Sequence, residues 1–116
     1  MNDYKPDYWK VVKITSTEGK VLYKVFATWV GGYVEGNSWK MNSGIEEIAY
    51  KDDYVLFKGY SGSVYRCLNE EHVYRTTAYT YGTLESMIKK ADLIGAKIEV
   101  IPFDTNFLEL IDDTTA

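Results

Sequence analysis

The sequence predicts an α+β protein: a mostly antiparallel sheet of about six or seven short strands, with one amphipathic helix over about residues 83–94 packed on one face. Three observations carry this reading. Between Tyr8 and Leu68, runs of β-branched and aromatic residues are separated by Gly, Asn, Asp and Ser clusters, the pattern of strands joined by tight turns. Beyond Tyr79 the apolar spacing lengthens to that of a helix, at Leu84, Met87, Ile88, Ala91 and Ile94. Aromatic residues make up 16% of the chain and 11 of them are tyrosines, which suit half-buried strand positions where the ring packs and the hydroxyl meets water.

Taken in order, residues 1–7 form a polar lead-in halted by Pro6. Tyr8 to Thr15 reads as a strand, the stretch Ser16 to Gly19 as a turn, and Lys20 to Trp29 as the returning strand of a hairpin. Gly31-Gly32 and Gly36-Asn37 bracket a short segment around Tyr33 and Val34, an edge strand or ribbon. Ser38 to Gly44 is ambiguous and ends in an Asn42-Ser43-Gly44 turn. Strands follow at Ile45 to Tyr50, Tyr54 to Gly59 and Val64 to Leu68, and His72 to Tyr79 is either a strand or an extended loop. Thr83 is the expected N-cap of the helix and Gly95 its C′ residue. Lys97 to Ile101 is a last strand stopped by Pro102, and residues 112–116 are an expected frayed tail.

The 116 residues suit one domain spanning 1–116, and a hydrophobic fraction of 46% supplies a core. A net charge of −4 and scattered basic residues argue against generic nucleic-acid binding, which needs a cationic face. The single cysteine excludes an intrachain disulfide and suits a reducing compartment. The opening residues hold no apolar stretch of signal-peptide type, and nothing approaches the run of about 20 apolar residues that spans a bilayer. A cytoplasmic protein without membrane association is expected. Its many strand edges make a homo-oligomer an open option.

Few residues suggest bond-making chemistry. Cys67 and His72, the only histidine, are a conceivable nucleophile and base, but nothing marks a third orienting group. No second Cys or His exists to complete a zinc site, so neither metal nor cofactor is expected. The carboxylate pairs Glu46-Glu47 and Asp52-Asp53 are adjacent, so on strands they point apart. Recognition has better candidates. Tyr60, Ser61, Gly62 and Ser63 form a small-residue loop able to expose backbone N–H groups to an anion, with Arg66 or Arg75 adding charge. Trp29, Tyr33 and Trp39 surround the paired glycines, where rings can stack on a base or anchor a partner.

Trp29–Ile45 (WVGGYVEGNSWKMNSGI), Tyr54–Cys67 (YVLFKGYSGSVYRC) and Thr77–Leu84 (TAYTYGTL) together resemble small accessory proteins encoded by large tailed bacteriophages. The likeness covers the middle of the chain and rests on turn glycines and aromatics. That group has no assigned activity, so no functional residue is carried over. The resemblance implies a protein made in a bacterial cytoplasm that binds, and inhibits or sequesters, a host protein or a small nucleotide signal, and the lack of a catalytic constellation makes a non-catalytic role the expectation. The alternatives are a small enzyme on a nucleotide-like substrate and a minor virion or assembly protein.

Overall fold

The computed structural model describes residues 3–30 and 37–115, so the expected segment around Tyr33 lies outside the described residues. In place of one sheet there are two, each of four strands. The first runs β1 (Asp3–Tyr4), β7 (Val64–Leu68), β6 (Tyr54–Gly59), β5 (Ile45–Tyr50). The second runs β4 (Asn37–Met41), β3 (Val21–Val30), β2 (Tyr8–Thr15), β8 (Lys97–Val100). All pairings are antiparallel except β1 on β7. The lead-in is therefore in part a strand.

The reason for two sheets is visible in β3, where Val25, Phe26, Ala27 and Thr28 are all fully buried. A strand buried on both faces must lie between two layers. On one side, Trp9, Val11, Tyr23, Val25 and Ala27 meet Ile45, Val55, Phe57, Tyr65 and Cys67 of the first sheet. On the other, Val12 and Phe26 meet Leu84, Met87 and Ile88 of a helix. Sheet, sheet and helix thus form three layers. Each large side chain fully buried there contributes about 1.5–3 kcal/mol against the entropy of ordering it.

Two polar side chains tie the layers. The Trp9 Nε1–H donates to the Leu68 carbonyl at 2.8 Å, joining β2 to β7. The Tyr74 hydroxyl accepts the Val11 N–H at 3.0 Å and donates to the Ile101 carbonyl just past β8.

Helix α1 (Ala78–Leu93) begins five residues before the expected start, and its N-cap is Thr77 rather than Thr83. Thr77 Oγ1 accepts the Thr80 N–H at 3.1 Å while Thr80 Oγ1 accepts the Thr77 N–H at 3.0 Å, a reciprocal capping box. The stretch expected as strand or loop is instead a single 3-10 turn (Glu71–Val73), an extended connection and this first helical turn. Gly95 takes φ +85° and closes the helix as expected. Phe107–Thr115 forms α2. Phe107 packs against Trp9 and Phe57, and its N–H donates to the Tyr50 hydroxyl at 3.1 Å. Among the described residues no helix is long and apolar enough to cross a membrane.

Candidate functional site

Edge strand β4 pairs with β3, setting Trp39 opposite Thr28 and Met41 opposite Phe26 on the face turned toward α1. The Trp39 ring stacks on Phe26, with centroids 5.4 Å apart and planes at 21°. Phe26 is fully buried while Trp39 keeps 40% of its surface exposed. One face of the indole is therefore seated on the core, and the rest looks outward.

Opposite Trp39, α1 presents Tyr79, Gly82, Thr83, Ser86, Met87 and Lys90, spaced three or four residues apart along one stripe. Trp39 and this stripe enclose an open groove of about 540 Å³, within the range of small-molecule sites. Tyr79 is 66% exposed. Among the described residues the groove lining carries one cation, Lys90, and no carboxylate, in a chain of net charge −4. Lys90 lies in the last helical turn, where a cation also suits the negative end of the helix.

Gly82 is the anomaly of this stripe. A glycine inside a helix costs about 1 kcal/mol relative to alanine. A Cβ there would meet nothing within 4 Å among the described residues, and its φ is not positive. Neither packing nor backbone conformation calls for glycine. Its missing side chain leaves open space along the groove.

The other sequence candidates are dispersed. Trp29 points to the opposite face of β3 from Trp39's row, where its Nε1–H donates to the Lys5 carbonyl at 3.0 Å and its ring meets Tyr4 edge-on. Tyr33 lies outside the described residues. Arg66 sits on the exposed face of the first sheet with its guanidinium 5.0 Å from the Tyr54 ring. Arg75 lies over Tyr8 at 5.1 Å, and Tyr8 and Trp39 are both register partners of Thr28.

The loop Tyr60 to Ser63 closes the β6–β7 hairpin and docks on the Asn42–Gly44 turn. Four amides in and beside it are engaged within the protein: Gly59 N–H donates to the Ser63 carbonyl, Tyr60 N–H to Gly44, Gly62 N–H to Gly59, and Ser61 N–H to Ser43 Oγ at 3.0 Å. With these four donors occupied, the loop does not offer them to an anion. The Tyr60 ring lies over Gly44, where φ is +131° and a Cβ would fall 2.8 Å from Leu22 Cδ1 and 3.0 Å from the ring. Gly44 and Tyr60 therefore form a fitted pair at the crossing between sheets.

Cys67 and His72 do not assemble. The Cys67 thiol is fully buried between the sheets, and that burial pushes it well above its ordinary range, away from the thiolate a nucleophile requires. The His72 side chain is 71% exposed, with Nδ1 3.3 Å from Glu70. Lys10, beside the Tyr74 ring at 4.9 Å, is lowered by burial. Among the described residues no three His, Cys, Asp or Glu side chains group as a metal site would need.

Of the recognition candidates taken from sequence, Trp39 alone among the described residues lines the groove. Tyr79, Gly82, Thr83, Ser86 and Lys90 are not among those recognition candidates, and the signal that marks them is a glycine interrupting a helical run. No protein family, curated protein or solved structure matches this chain.

Proposed function

We propose that this chain is a non-catalytic binding protein of phage-accessory type that captures a component of a bacterial host and holds it out of use. The observation that carries the reading is the Trp39 platform: a large ring seated on buried Phe26, open to solvent, beside a groove of ligand size. Holding an aromatic ring rigidly before the partner arrives lowers the ordering cost of association. The separation of buried Cys67 from exposed His72 favours this reading over the thiol-based enzyme.

The test is retention of a host component from bacterial lysate by the tagged chain, followed by mass spectrometry of bound proteins and of small molecules released on denaturation. We expect a component retained by the native chain and lost from Trp39→Ala. Equal recovery on both chains, or none on either, overturns the proposal.

A further inference from the structure

We infer that the groove between β4 and α1 is a binding site for a nucleotide-class ligand, with a planar base on Trp39 and a phosphate at Lys90. This rests on the binding-protein reading above and names its ligand. Three independent features point to that chemistry. First, the Trp39 indole is a flat surface whose tilt is fixed by the Phe26 stack beneath it, and Tyr79 adds a second exposed ring on the same groove. Rings held this way bind bases through their π-faces with little dependence on base identity. Second, among the described residues the groove lining carries Lys90 and no carboxylate, although the whole chain is anionic. Lys90 is the last residue of the groove-lining stripe, seven residues and about 10 Å along the helix past Thr83, so the cation stands at one end of it. The hydroxyls of Thr83 and Ser86 line the interval as donors and acceptors for a sugar.

Third, Gly82 leaves space that no side chain of the described residues fills. A glycine that serves the fold alone packs closely or adopts a conformation that only glycine tolerates. Gly82 does neither, and its one visible effect is room in the groove. The alternative occupant, a protein segment, would be served by the rings but gives no role to the open space at Gly82.

The experiment is calorimetric titration of the full chain with adenosine and guanosine 5′-triphosphates and monophosphates, the two nucleosides, and inorganic triphosphate. We expect a phosphorylated nucleoside to bind. Trp39→Ala should weaken it by about tenfold or more, the scale of one base–aromatic stack. Lys90→Gln should weaken nucleotides while leaving nucleosides unchanged. The discriminating variant is Gly82→Leu, which should abolish binding while the melting temperature holds or rises, because leucine is the better helix former. A purely structural glycine would give the reverse. Binding that survives Gly82→Leu overturns the assignment, as does inorganic triphosphate binding equally well without a base. Absence of any nucleotide binding, with a host protein still retained through Trp39, overturns the ligand class and leaves the binding-protein reading standing. Loss of both removes both.

Discussion

Trp39 and Phe26 lie face to face across β4 and β3, and of the two only Trp39 reaches solvent. The inner ring belongs to the layer between sheet and helix; the outer ring uses it as a seat. Stability and recognition are thereby assigned to different members of one aromatic pair.

Substitution should separate those roles. Phe26→Ala opens a cavity against Val12 and Leu84 and is expected to cost about 3–5 kcal/mol. Trp39→Ala loses a half-exposed contact and an aromatic stack worth about 1 kcal/mol. Urea midpoints of the two variants check this. Equal losses would mean that Trp39 is core and no platform.

The start of α1 gives a second test. Thr77→Ala removes an N-cap and half of a capping box, so a loss of about 1 kcal/mol is expected. Thr83→Ala lies inside the helix on the groove side and should change stability by less than about 0.5 kcal/mol. Thermal melts followed by circular dichroism compare them directly.

Alkaline pH should unfold the protein through its buried tyrosines. Burial, with Tyr4 and Cys67 adding to it, pushes the Tyr65 hydroxyl up to about 12 from an ordinary value of 10.0. Burial raises Tyr74 as well, against the bond from Val11. Above pH 10 the unfolded chain loses these protons while the folded chain keeps them, so the unfolded state gains and stability falls as pH rises toward 12. Below 10 the contribution is fully present. Tyr65→Phe should flatten part of that fall in melting temperature between pH 9.5 and 11.5, a window set by the raised value of about 12.

The Cys67 thiol, enclosed between the sheets, should resist an aromatic disulfide reagent in the native protein and react fully in denaturant. Rapid modification of the folded chain would contradict the placement of β7 against β2 and β3.

Much of the strand framework is legible in the sequence because turn chemistry punctuates it. The runs Ile45–Tyr50, Tyr54–Gly59 and Val64–Leu68 fall where the sequence put them, and the β2–β3 hairpin is off by one residue at each end of its second strand. What escapes is layering. Leu22, Phe26 and Thr28 on one face of β3, with Tyr23, Val25 and Ala27 on the other, already announce burial on both sides, yet period-two alternation alone does not say that a second sheet lies beyond. The helix start escapes for a local reason: Ala78-Tyr79-Thr80-Tyr81-Gly82 reads as strand by intrinsic preference, and the capping box closes with threonine where glutamate or glutamine is the usual signal. That same misreading hides the groove, since Tyr79 and Gly82 fall on a helical stripe only once the first turn is recognised as helix.

The most direct measurement follows the indole N–H signals of the three tryptophans in a nitrogen-15-labelled sample titrated with nucleoside triphosphate. Trp9 donates to Leu68 and Trp29 to Lys5, both away from the groove, so their signals should hold still. The Trp39 signal alone should move, saturably, and should stop moving in Gly82→Leu. A Trp39 signal that stays fixed, or shifts equally in that variant, contradicts the assignment of the groove.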